Sequence, residues 1–307
     1  MGDHNTTSQD WDAYAAKATK KTRNQIFTSY DMDDYLNPLH FKVRESRDSA
    51  ANPLSTPIIV GLDVTGSMGI LSEIMIKKGM PTVFTEVYKR KPVSDPHIAF
   101  AAIGDMYCDR SPLQMTQFET SIVLTEQLSR VYLEGGGGGN GGESYPALWL
   151  LAALKTSTDC FEKRGKKGFI FTVGDEAPHE DIEGGHIARF IDNEWNSNKS
   201  VSAAEALAMA QRMYNVYHII LDESSYIKRN NNVVYRSWRD LLGENVISLS
   251  DQTKLAEVIV SIMQMAAGHD VNDVANSWSG DTSIVVADAI RSLKPVGNNQ
   301  RGGLVKF

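Results

Sequence analysis

The sequence predicts a doubly wound α/β fold: a mostly parallel sheet with one antiparallel edge strand and helices on both faces. Three observations carry this. From residue 57 onward, short apolar runs alternate with segments of helical spacing. The runs, such as Ile58–Val64 and Gly168–Val173, are continuously apolar, which is how strands buried on both faces read. One further segment, Leu113–Phe118 (LQMTQF), alternates polar and apolar residues and fits an edge strand in a single early hairpin.

Taken in order, residues 1–53 lack a clear strand pattern. Trp11–Lys21 is expected to form a short helix with Asp10 as its N-cap, and Asn37-Pro38 and Asn52-Pro53 read as turns. The segment carries Trp11, Tyr14, Phe27, Tyr30, Tyr35 and Phe41. It reads as an arm that docks on the main domain or on a partner, not as a second core. Ile58–Val64 is the first strand. Ile70–Arg90 has Ile74, Val83 and Val87 at helical spacing, with Pro81 expected to kink or break the helix. His97–Gly104 is the second strand, and Ser121–Leu133 a helix opened by a serine cap.

A helix is expected from Tyr145 to Ser157, then the strand Gly168–Val173 and an alanine-rich helix, Ser202–Tyr214, capped by Ser202. Val216–Leu221 and Val246–Leu249 are the last strands, with a helical turn at Trp238–Leu242 between them. Leu255–Ala267 closes the domain. Beyond Gly268 the chain turns polar, with one more helix around Val285–Leu293 and a mobile Gly/Asn-rich tail. The organisation is therefore an arm (1–53), a main domain (54–268) and an extension (269–307).

Composition narrows the function. A formal charge of −7 and a pI near 5.5 leave no basic tract to neutralise phosphates, which argues against nucleic acid. Cys108 and Cys160 form neither a disulfide framework nor a CxxC pair, so a reducing, cytoplasmic setting is the simpler expectation. No apolar stretch has the length of a bilayer span, and the N-terminus has no apolar signal region, so no membrane role is expected.

The residues with chemistry gather at strand ends. Asp63, Thr65 and Ser67 leave the carboxyl end of the first strand just before a helix, bracketed by Gly66 and Gly69. Open α/β sheets bind ligands at such ends. Three hard oxygen donors suit a hard cation such as Mg2+, which takes few protein ligands and keeps several waters. Asp175 ends a later strand, and Glu143-Ser144 follows the glycine run 135–139 between two helices. Each has a plainer reading. An isolated Asp-x-Thr-x-Ser is often a hydrogen-bonded turn, and a glycine run a linker. Asp105 and Asp109 read equally as caps at the same rim or as solvated loop acids. His179 and His186, near Asp175, Glu176 and Glu180, match no zinc spacing and read as surface-loop residues. The two cysteines read as structural thiols.

Together these pieces resemble a von Willebrand factor A (VWA) domain with a metal-ion-dependent adhesion site, a Rossmann-like fold. The family's first loop, Asp-x-Ser-x-Ser, is matched by Asp63-Val64-Thr65-Gly66-Ser67, with threonine keeping the middle hydroxyl. Asp175 in Phe171-Thr172-Val173-Gly174-Asp175 matches the third-loop acid. The second loop departs: where the family supplies a threonine, this chain has Gly138-Gly139-Asn140-Gly141-Gly142-Glu143-Ser144. With Gly104-Asp105-Met106-Tyr107-Cys108-Asp109, Phe118-Glu119-Thr120 and Asp175-Glu176-Ala177-Pro178-His179, it is similar to the subgroup in alpha-kinase-associated and bacterial stand-alone VWA proteins. The likeness covers about residues 54–268, and the chain has no sign of a kinase domain.

The resemblance implies Mg2+, with Mn2+ or Ca2+ as substitutes. It implies hydroxyls at Thr65 and Ser67 on the ion, acids that often act through water, and an open position for a partner protein's acidic side chain. Either Glu143 or Ser144 can fill the second-loop position. Glu143 on the ion would add a negative charge, strengthening metal binding and weakening attraction for a partner's acid. The implied function is a non-catalytic intracellular adaptor, with AAA+ ATPases as one partner class. An alternative is a structural component of a larger phage or secretion-type particle. A Mg2+-dependent hydrolase is disfavoured: no second acid follows Asp63 by two residues, and no P-loop or Gly-x-Ser-x-Gly elbow is present.

Overall fold

A computed structural model describes residues 6–133 and 141–293. The glycine run 135–139 and the tail after residue 293 lie outside the described residues. Six strands form the central sheet: β1 (Thr56–Asp63), β2 (Pro96–Ile103), β3 (Leu113–Met115), β4 (Gly168–Gly174), β5 (Tyr214–Leu221) and β6 (Val246–Leu249). Their spatial order is β3-β2-β1-β4-β5-β6. Neighbours run parallel, apart from the edge strand β3, which is antiparallel to β2. This is the expected doubly wound, mostly parallel sheet.

Besides the one-turn helices Arg23–Ile26 and Asp159–Glu162, the helices are, in chain order, α1 (Ser8–Ala18), α2 (Gly69–Ile74 continuing through the π turn Met75–Gly79 into Met80–Arg90), α3 (Val123–Ser129), α4 (Tyr145–Lys155), α5 (Gly184–Phe190), α6 (Ala203–Ala210), α7 (Ser225–Leu242), α8 (Leu255–Ala266), α9 (Val271–Asn276) and α10 (Asp281–Ile290). Successive residues of a strand point to opposite faces. Ile58, Val60 and Leu62 of β1 accordingly enter the apolar layer built with α1, α2, α3, α8, α9 and α10. Ile59 enters the other layer, with α4, α5, α6 and α7. Both faces are covered, which is why the strands read as unbroken apolar runs. Among the described residues no helix is long and apolar enough to cross a membrane.

Several expectations are corrected. The first helix is capped by Thr7; Asp10 is the third helical residue and completes a capping box, its Oδ2 accepting from the Thr7 backbone N–H at 2.7 Å. Pro81 does not end its helix, because it lies in the first turn after the π turn, where the helix has already taken up an extra residue. The helical turn at Trp238–Leu242 is the last part of the 18-residue α7. Its asparagine-rich middle, Asn230-Asn231-Asn232, weakens the sequence signal. The stripe Ile227, Val234, Trp238 and Leu242 is buried and holds it helical. The helix from Tyr145 ends at Lys155, and Thr156–Thr158 instead pairs in parallel with Arg44–Ser46. The short helix α5 had no counterpart in the sequence reading.

The N-terminal segment packs on the sheet layers. Trp11 stacks on Phe84 of α2, with ring centroids 4.4 Å apart and planes at 17°. On the C-terminal side, Trp278 Nε1 donates to Ser261 Oγ of α8 at 2.8 Å, and the Arg90 guanidinium lies 3.6 Å from the Trp278 ring centroid. From β1 the chain goes to β2 on one side, while β4 lies on the other. The strand order reverses between β1 and β4, so a crevice opens there at the carboxyl ends.

Candidate metal centre

Asp63 is the last residue of β1 and Asp175 directly follows β4. The two strands are neighbours, with Leu62 opposite Val173, so both acids emerge at the switch-point crevice. The chain turns tightly after Asp63. Gly66 takes a positive φ of 42°, a conformation that suits glycine, and the Met68 N–H closes on the Thr65 carbonyl at 2.8 Å. The turn folds Thr65 back onto the strand end. Its backbone N–H and its hydroxyl both donate to Asp63 Oδ1, at 2.9 and 2.7 Å. With its proton committed, the Thr65 oxygen keeps its lone pairs for a cation. Ser67 lies in the one-turn 3-10 helix Gly66–Met68, and its side chain is outside the described residues.

The other oxygen of Asp63 is held by a residue the sequence reading missed. The Tyr145 hydroxyl, from the first turn of α4, donates to Asp63 Oδ2 at 2.9 Å. Tyr145 is fully buried, edge-on to His218 and Trp238, which are themselves stacked at 3.4 Å. Burial, together with the acids around it, keeps its phenol protonated and therefore a donor. A Cβ at Gly174 would overlap the Tyr145 hydroxyl, so glycine at the end of β4 makes room for this contact. The available signal was an aromatic residue with a polar tip directly following Glu143-Ser144.

The second loop is tied to both of its neighbours. Gly142–Glu143 pairs in parallel with Ala177–Pro178, just past Asp175, and the His179 N–H donates to the Glu143 carbonyl at 3.1 Å. Ser144 joins the end of β2: its N–H donates to the Gly104 carbonyl at 3.3 Å, and its Oγ accepts from Met106 N–H at 2.9 Å. Asp105 is the hub of this rim. It accepts from Tyr107 N–H at 3.0 Å and Cys108 Sγ at 3.2 Å, pairs with His179 Nε2 at 2.9 Å, and its N–H donates to Asp109 Oδ2 at 2.8 Å. Asp105 and Asp109 are thus buried loop-builders, and the solvated reading is corrected. His179 ties the third loop to the first turn after β2 and is not a free surface residue. His186 packs against the Tyr107 ring.

Electrostatically the crevice is uniformly acidic. Asp63 and Glu143 are buried, and burial followed by neighbouring negative charge pushes both carboxyls above their ordinary range. Burial raises Asp175 as well, while the adjacent Ser224 hydroxyl pulls it down. Among the described residues, no lysine, arginine or histidine pairs with Asp63, Glu143 or Asp175. Glu143 Oε2 is buried without a hydrogen-bond partner. Buried carboxylates are costly unless paired or bound to a metal. Among the described residues no three Asp, Glu, His or Cys side chains converge as a closed cage would need. Acid and hydroxyl oxygens are instead the donors that suit a hard cation such as Mg2+, which takes few protein ligands and keeps waters of its own.

No family model and no curated protein matches the chain. Among solved structures it is similar to the pilus adhesin SpaC of Lactobacillus rhamnosus GG, at 7% identity and a TM-score of 0.45 over 72% of this chain and 32% of that one. It is similar to proximal thread matrix protein 1 of the mussel byssus, at 10% identity and 0.42, over 69% of this chain and 47% of that one. It is also similar to the vWF domain of the type V pili tip protein Mfa5 of Porphyromonas gingivalis, at 12% identity and 0.42, over 69% of this chain and 94% of that one. The chain thus spans less than half the length of the first two.

Proposed function

We propose that this chain is a non-catalytic, cation-dependent protein-binding module. A Mg2+ ion, replaceable by Mn2+ or Ca2+, sits in the crevice between β1 and β4. Thr65 and Ser67 would supply hydroxyl oxygens, Asp63 a carboxylate, Asp175 a carboxylate acting through water, and the second loop a further donor. Bound there, the ion supplies an electrophilic position for an oxygen donor of a partner. In the resembled family that donor is an acidic side chain, and the partner class it offers is another component of an assembly, AAA+ ATPases among them. The observation that carries the reading is a set of buried carboxylates that no lysine, arginine or histidine among the described residues pairs with, beside a threonine hydroxyl whose proton is already used. The chain's own residues do the positioning: Tyr145 and Thr65 fix Asp63, and the short ladder at Glu143 joins the second loop to the third.

The test is a thermal titration. At a Mg2+ or Mn2+ concentration about a hundredfold above Kd, linkage adds about 2.7 kcal/mol, so the midpoint should rise by several degrees. Asp63→Ala and Ser67→Ala should remove that rise. Variants that respond to the metal as the parent does refute the site. A partner captured by the parent in Mg2+, but neither in chelator nor by Asp63→Ala, separates an adaptor from a scaffold in a larger particle.

A further inference from the structure

We infer that Glu143, and not Ser144, is the second loop's ligand to the cation. The inference rests on the cation-site reading above and decides what the sequence left open between two adjacent residues. Ser144 is already employed. Its hydroxyl accepts from Met106 N–H at 2.9 Å and donates to Asp105 Oδ1 at 3.4 Å, while its own N–H is bound to Gly104. What sets it apart from Thr65 is that one of its lone pairs is already taken by Met106 N–H, and both of its hydrogen bonds face the rim at the end of β2.

Glu143 is in the opposite situation. Its side chain is 2% exposed, and Oε2 has no hydrogen-bond partner. Its backbone cannot easily swing away, because Gly142–Glu143 is paired with Ala177–Pro178 and its carbonyl takes the His179 N–H. The negative charges of Asp63, Glu176 and Asp105 act on it, the Thr65 hydroxyl offsets them only in part, and no lysine, arginine or histidine among the described residues pairs with it. A divalent ion beside Asp63 and Thr65 supplies the compensation a buried carboxylate requires. The ion then stitches the first loop to the second, which the short ladder already joins to the third.

The experiment is Mn2+ calorimetry on the full chain and three variants, with melting in chelator alongside. Glu143→Gln keeps the shape of the side chain and removes its charge. It should weaken Mn2+ binding by roughly tenfold or more, the scale seen when a metal site loses a supporting group. Its midpoint in chelator should hold or rise, because a like charge has left the acidic crevice. Ser144→Ala should bind Mn2+ within about threefold of the parent, since only hydrogen bonds remote from the ion are lost. Parent-like binding by Glu143→Gln overturns the inference, as does a loss in Ser144→Ala equal to that in Glu143→Gln. So does a lower midpoint of Glu143→Gln in chelator, which marks a structural role. If instead Asp63→Ala retains parental affinity, the cation-site reading fails. A parent chain that takes up no Mn2+ overturns both.

Discussion

Asp63 has both carboxylate oxygens engaged from within the chain, one by Thr65 and one by Tyr145. Position 174 controls the second contact. Gly174→Ala should force the Tyr145 ring to shift and destabilise the fold by about 2 kcal/mol, the usual scale of an overpacked core. The metal-induced rise in melting temperature should shrink with it; an unchanged rise in chemical-denaturation and melting experiments refutes the link. His97 offers a pH test away from the site. It is buried, shares a hydrogen bond with Ser46 Oγ at 3.1 Å, and burial pushes it down to about 4. The unfolded imidazole titrates near 6.5, so between these values the unfolded chain binds more protons. This stabilising contribution is complete above about pH 6.5 and is lost as the pH falls toward 4. The loss from pH 7 to pH 4 should be about 3 kcal/mol greater in the parent than in His97→Gln. Equal losses in urea unfolding contradict this. At this scale Asp63 and Thr65 were legible because their spacing after an apolar run places them locally. Tyr145 was not, since its partner lies 82 residues away.

Elements were legible where one local rule decides them. Ser202 caps α6 as expected, its Oγ accepting from Glu205 N–H at 3.2 Å with the full capping box. The buried strands likewise followed from their apolar runs. The misreadings fall where packing overrides propensity. In α7 four buried apolar residues outweigh an asparagine run. In α2 a π turn makes room for Pro81 without breaking the helix. The N-terminal helix α1 has a hydrophilic sequence, yet Trp11 is 2% exposed against Phe84. Trp11→Ala should therefore cost roughly 3–5 kcal/mol, as large core truncations do. Limited proteolysis should then cut first before residue 40. A loss below 1 kcal/mol would show that α1 is a removable appendage.

On the scale of the molecule, the order β3-β2-β1-β4-β5-β6 brings Asp63 and Asp175 together, and both apolar layers need their outermost helices. Val274, Val286, Ala289 and Ile290 of α9 and α10 are buried in the layer that holds α8. Removing residues 269–307 should uncover that layer. The shortened chain is expected to bind a hydrophobic dye in its native state and to unfold at lower urea concentration. Behaviour identical to the parent in both measurements would mean that the extension contributes nothing to the core.

The sequence by itself determined the fold class, the positions of the six sheet strands within a few residues, and a first loop rich in hard oxygen donors. These depend on periodicity and on neighbours a few residues apart, which a linear chain displays directly. Only the tertiary structure decided which groups hold that loop in place. Tyr145 reaches Asp63 from another helix, His179 reaches Asp105 across 74 residues, and Ser144 turns to the end of β2 while Glu143 stays buried with a free oxygen. Such contacts arise from strand order and close packing of distant segments, and no local pattern encodes them.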